Sequence, residues 1–140
     1  MLSNLEDAIK ASKKKGYEIA VNYESPEKKV LIIVADDQMV KYIHAFDRAS
    51  KEYIISIPSE LNFWYHNNLV GVLEQSIGEE VNVKGGGEVI KSPQGKMVFY
   101  GKSSMYGEAD HKKVMKSVED ALAQKQAYKN LKEKSKGAKK

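Results

Sequence analysis

The chain has 140 residues, of which 41% are hydrophobic, 30% charged and 9% aromatic, with a formal net charge of +4; this is the make-up of one ordinary globular domain and excludes a disordered chain. There is no cysteine, which excludes a disulfide framework and a thiolate nucleophile, and the 3 histidines have no ligand-like spacing, so a structural zinc site is not expected. No apolar run approaches the ~18 residues needed to span a bilayer and the N-terminal stretch lacks the apolar core of a secretory signal, so the expected location is cytoplasmic, with no membrane partner.

Leu5, Ala8, Ile9 and Ser12 share one face at helical spacing, with Asn4 as N-cap and Gly16 as stop. "YEIAVNY" (17–23) alternates like a half-buried strand. The turn "SPEK" (25–28) leads to "KVLIIVA" (29–35), a continuous apolar run suited to a strand buried on both faces. "MVKYIHAF" (39–46) and "KEYIISIP" (51–58) read as two further strands around "DRAS". A helix is expected over about 62–77, with Leu69, Val70, Val72, Leu73 and Ile77 as its apolar stripe and Gly78 ending it. "EEVNVK" (79–84) reads as a strand running into "GGG" (85–87), and "EVIK" and "KMVFYG" as strands joined by "SPQG". After a loop, Asp110 caps a helix from about His111 to Gln126, with Val114, Val118, Ala121 and Leu122 inward.

The positive charge is concentrated at the end. From Lys125 to Lys140 there are seven Lys and one Glu, so the preceding 124 residues are slightly acidic. Residues 126–140 read as a basic, flexible tail, and 1–125 as a single domain. "SPEKKVLII" lies over "SPQGKMVFY" without a gap, each preceded by a helix, a glycine and a strand. The expected fold class is therefore α/β (α+β): two similar halves contributing to one mixed sheet with helices packed against it.

Two places carry chemistry. His66 stands where a helix begins, and helix N-termini leave N–H groups free and carry partial positive charge. The loop "GKSSMYG" (101–107) has glycines at both ends and can present a second set of N–H donors. Together they suit an anion such as a phosphoryl group. His44, inside an apolar strand, reads as structural, and Phe63 and Trp64 as core or pocket wall.

The stretches "KKVLIIV" (28–34), "WYHNNL" (64–69), "KGGGEVI" (84–90) and "KMVFYGKSSMYGEADH" (96–111) occur in the order and at the spacing of the Janus family. The chain resembles that family, whose best-known member is the phosphohistidine phosphatase. The resemblance implies a phosphatase that uses neither metal nor cofactor and acts on phosphohistidine, or another phosphoramidate, in a phosphorylated protein. It makes His66 the catalytic histidine. The N–H groups of His66, Asn67 and Met105, together with Ser103, would hold the phosphoryl oxygens, and Lys28 would assist electrostatically. Tyr65, Lys102 and His111 take supporting positions.

The chain departs from that pattern at Lys102, Met105 and Asn67 and in an added N-terminal helix (1–16), but one further departure matters most. Where the phosphohistidine phosphatase has Arg after the triple glycine, this chain has Glu88. A carboxylate opposes a phosphate dianion unless it is screened, and Lys102 or Lys84 is placed to compensate. Glu88 and the basic tail also motivate a rival reading. It is a non-catalytic module on the same fold, binding phosphate or acidic ligands, or nucleic acid through the tail.

Overall fold

The structure, a computed structural model, describes residues 4–35, 37–61 and 65–138, with side chains up to Gln124. Helix α1 (Leu5–Lys14) is followed by strands β1 (Glu18–Glu24), β2 (Lys28–Val34), β3 (Val40–Phe46) and β4 (Glu52–Ser56). A 3-10 turn (Ser59–Leu61) precedes helix α2 (His66–Ile77), and then come β5 (Asn82–Lys91), β6 (Met97–Tyr100) and helix α3 (His111–Ala138). The strands form one six-stranded sheet in the order β1-β2-β4-β3-β5-β6. Only β2 and β4 pair in parallel, so the sheet is mixed. Each outer hairpin, β1–β2 and β5–β6, follows a helix, as the repeated plan in the sequence describes.

Period-two alternation in the central strands divides the core into two layers. Leu31, Ile33, Ile43, Ala45, Tyr53 and Ile55 point to one face and pack under α1 and α2. Val30, Ile32, Val34, Val40, Tyr42 and Ile54 point to the other and pack under α3. This is why "KVLIIV" is apolar without a break: both of its faces are covered. Each such fully buried side chain contributes roughly 1.5–3 kcal/mol of transfer free energy. Leu5, Ala8, Ile9 and Ser12 are the buried face of α1. That helix is also tied to α2 by a hydrogen bond of 2.7 Å from the Leu5 N–H to Ser76 Oγ.

Several elements differ from the sequence expectation, each for a local reason. α2 begins at His66 and not near residue 62; Tyr65 is its extended N-cap (φ −127, ψ 155). Phe63 and Trp64 lie outside the described residues. β5 is one strand through the triple glycine, with its bulge at Lys84, one residue earlier. β1 bulges between Ile19 and Val21, which sends these two residues to opposite core layers. α3 continues past Gln126 to Ala138, where a flexible tail was expected. The segment is rich in Ala, Gln, Lys, Glu and Leu, all strong helix formers, and its first interruption is Gly137. The inner face of α3 is Val114, Val118 and Ala121, whereas Leu122 turns outward and is 37% exposed.

The glycines of this fold provide a clean stability test. A Cβ at Gly85 would stand 2.6 Å from the Ala109 backbone nitrogen, but one at Gly71, on α2, would meet nothing within 4 Å. Gly85→Ala is expected to destabilise by about 1–3 kcal/mol through overpacking. Gly71→Ala should stabilise by roughly 0.5–1 kcal/mol through helix propensity. Urea denaturation of the two variants against the parent measures both.

Candidate functional site

The triple glycine lies beneath two of the residues that line a cleft, buried under them. A Cβ at Gly86 would stand 2.7 Å from the His66 ring and 3.1 Å from the Ser103 Cβ. Thus His66, from the first turn of α2, and Ser103, from the loop after β6, meet over one residue that lacks a side chain. On the opposite face, a Cβ at Gly87 would stand 2.8 Å from the His111 ring and collide with the Tyr100 carbonyl. Three consecutive glycines are needed because backbone or ring atoms press on both sides of β5.

The loop is locked to these glycines by backbone hydrogen bonds. The Gly86 N–H donates to the Gly107 carbonyl at 3.0 Å, and the Ala109 N–H to the Gly86 carbonyl at 3.1 Å. Ser103 and Gly107 exchange N–H···O bonds of 3.0 and 2.9 Å, closing a tight turn. Inside it, the buried Ser103 Oγ accepts from the N–H groups of Met105 (3.2 Å) and Tyr106 (3.1 Å). The Met105 N–H, assigned to a phosphoryl oxygen by the resemblance, is thus directed at Ser103.

His66 is only 7% exposed, and its Nε2 lies 2.9 Å from the Gly87 carbonyl oxygen. A carbonyl only accepts, so Nε2 carries the proton and Nδ1 is left with its lone pair. At the same helix end, the Asn68 side chain accepts from the Tyr65 N–H at 3.0 Å, and the Asn68 N–H donates to the Tyr65 carbonyl at 3.0 Å. The N–H groups of His66 and Asn67 have no partner among the described residues, and no acid stands in the first turn. α1 is the contrast: Asn4 caps it and Glu6 and Asp7 offset its dipole. The bare end of α2 offers two N–H donors and a positive dipole to a ligand.

These groups border a cleft of about 420 Å³ lined by Lys41, Tyr65, His66, Asn67, Glu88, Lys102, Ser103, Ser104 and Met105. Its charged side chains are two lysines and one glutamate, and none of the three forms an ion pair among the described residues. Tyr65 and Met105 stand at its mouth, 70% and 64% exposed.

Six residues named from the sequence therefore line one cleft: Tyr65, His66, Asn67, Lys102, Ser103 and Met105. Lys28 does not join them. It shares the face of Val30 and Ile32, under α3, where its Nζ donates to the Ser117 carbonyl at 3.0 Å and lies 3.9 Å from Asp120. His66 is on the other face. Lys84, at the β5 bulge, is not part of the lining either. The cleft's second lysine is Lys41 of β3, which the sequence reading missed and which pairs in register with Glu88. Only the strand pairing places it there.

His111 supports the loop from behind. Its Nε2–H donates to the Gly101 carbonyl at 2.8 Å, and its Nδ1 accepts from the Tyr42 hydroxyl at 2.5 Å. Burial, reinforced by the carboxylates of Glu108, Glu88 and Asp110, pushes the Tyr42 phenol up, so it stays a donor. Tyr42, too, was not singled out in the sequence.

His44 lies under α3, where its Nε2–H donates to Glu52 at 2.7 Å and its buried Nδ1 has no partner among the described residues. Ser117 Oγ donates to the other Glu52 oxygen at 2.8 Å. Burial alone would raise the Glu52 carboxyl, but the hydrogen bonds from His44 and Ser117 and the Lys28 charge hold it below the usual carboxylate range. Among the described residues no group of three His, Asp or Glu side chains could hold a metal ion, and no helix is long and apolar enough to cross a membrane.

Fold and cleft together define a mixed-sheet α+β domain in which a histidine at a helix start packs on a glycine of the central sheet and borders a cleft. The Janus/Ocnus family model matches residues 9–132, and the chain belongs to that family. No curated protein and no solved structure is detectably similar to it.

The Glu52 cluster gives the fold an acid-sensitive tie between sheet and α3. A carboxyl held low in the folded state stabilises fully above its unfolded value of about 4.3, and that contribution is lost as pH falls through the lower folded value. Replacing it in Glu52→Gln should reduce stability at pH 7 and flatten its decline between about pH 5 and 3. Urea midpoints measured across that range for parent and variant check the sign.

Proposed function

We propose that this chain is a phosphatase that hydrolyses phosphohistidine on proteins, using its own side chains and N–H groups rather than a metal. The single observation that carries this reading is the state of His66. Its Nε2–H is committed to the Gly87 carbonyl, which leaves Nδ1 as the ring nitrogen able to act in the cleft. Family membership and the bare N-terminus of α2 support it. The expected setting is the cytoplasm, and the expected partner a phosphorylated protein.

Phosphoryl transfer proceeds through a loose transition state, so positioning and charge stabilisation supply most of the rate. In this reading the N–H groups of His66 and Asn67 face the phosphoryl oxygens, and the Ser103 hydroxyl donates from the opposite wall. Lys41 and Lys102 offset the dianion, taking the place intended for Lys28. Nδ1 accepts a proton from the attacking water, and the Gly87 carbonyl steadies the imidazolium that forms. The P–N bond then breaks as the leaving imidazole takes up a proton.

Removing the ring in His66→Ala should lower phosphohistidine hydrolysis by about 10²–10⁴-fold, with a urea transition that stays cooperative, although at a lower midpoint because the Gly87 hydrogen bond is lost, as evidence of an intact fold. Turnover by the parent should persist in excess EDTA. Full activity of the variant would sink the mechanism. Phosphorylated enzyme trapped by rapid quench would make Nδ1 the nucleophile rather than the base. Binding of a phosphate analogue without turnover of any substrate would favour the non-catalytic rival.

A further inference from the structure

Glu88 is the cleft residue that the proposed hydrolysis leaves without a role. It stands in a ligand site built for an anion, where a carboxylate works against binding. Two observations show that it is accommodated there. First, Glu88 pairs in register with Lys41 across β3 and β5, and both residues line the cleft, yet they form no ion pair within 4.0 Å. Second, the Glu88 carboxylate occupies the space over Gly101 where any other residue would carry its Cβ. Gly101 has φ +76, so its backbone also favours glycine. The strand end thus seats this carboxylate in the cleft that Lys102 also lines, with both signs of charge unpaired among the described residues.

A cleft with two cations and one anion, none paired among the described residues, complements a ligand that is itself zwitterionic. Resting on the reading of the site as a P–N hydrolase, we propose that beside phosphohistidine it takes an N-phosphoryl guanidinium group, the side chain of a phosphorylated arginine, and selects it over phosphate esters. Glu88 pairs with the guanidinium while Lys41, Lys102 and the α2 terminus take the phosphoryl oxygens. A guanidinium holds its charge near neutral pH and presents parallel N–H donors that match a carboxylate. A phosphate ester has no cation for Glu88 and is repelled. In hydrolysis, water gives its oxygen and one proton to phosphorus and its other proton to nitrogen, which keeps the P–N electron pair. The guanidinium is charged before and after, so Glu88 acts on binding and on specificity more than on the chemical step.

The test compares phosphoarginine, phosphohistidine and p-nitrophenyl phosphate on the parent and Glu88→Gln. The parent is expected to favour phosphoarginine over the ester by at least about tenfold in kcat/KM. The variant should lose at least about tenfold on phosphoarginine, mainly through KM, while its activity on the ester rises. Loss or gain on both substrates in parallel, or an unchanged ratio, would overturn the assignment. Phosphohistidine hydrolysis that depends on His66, alongside equal KM for phosphoarginine in parent and variant, would remove Glu88's role and leave the hydrolase reading standing. If nothing is turned over, calorimetric titration decides. A phosphoarginine Kd weakened at least about tenfold by Glu88→Gln supports the recognition, and an unchanged Kd refutes it.

Discussion

Close approach across β5 governs the architecture of this protein. At Gly86 the His66 ring and Ser103 come within reach of the space a Cβ would fill, and at Gly85 and Gly87 the backbone of the 101–109 loop and the His111 ring do the same on the other side. A sheet normally separates its two faces by a layer of side chains. Here that layer is absent for three residues, so a helix start, a loop and a second helix start all converge on bare backbone. The cost is the conformational entropy of three glycines in a strand. It is offset by hydrogen bonds that need this proximity, from His66 to Gly87, from Gly86 to Gly107 and from Ala109 to Gly86.

The two histidines at this crossing do related things with different outcomes. Each donates Nε2–H to a backbone carbonyl, which fixes its tautomer and ring plane. For His111 the remaining nitrogen is filled by the Tyr42 hydroxyl, so the ring is fully used in holding Gly101. For His66 the remaining nitrogen has no hydrogen-bond partner among the described residues. The same residue type is thus held through both ring nitrogens in one place and through one in the other, and a tyrosine makes the difference.

Much of the fold was legible in the sequence because periodicity reports burial. The α1 face, the Gly78 terminus and the doubly buried "KVLIIV" all follow from spacing and residue type. Failures came where spacing carries no information about a third partner. The start of α2 at His66 depends on Asn68 reaching back to Tyr65, and the length of α3 on propensity in a segment read for its charge and its lack of residues to bury. For the site, the loop and helix-start residues were legible because their glycines and bare first turn are chemical signals. Lys28 was misplaced because a strand residue's face is invisible until the layers are assigned; sharing the parity of Val30 and Ile32 sends it to the α3 side. Lys41 stayed hidden because its partner in register, Glu88, is 47 residues away in the chain.

The hydrogen bond from Leu5 to Ser76 has a practical consequence. It fastens the beginning of α1 near the far end of α2, whose 12 residues form a rod of about 18 Å with His66 at its other tip. A bulky fusion or affinity label crowding Leu5 would lever that rod and disturb the histidine at a distance. The end of α3 emerges from the opposite layer of the domain and makes the safer point of attachment for immobilisation or a fluorophore.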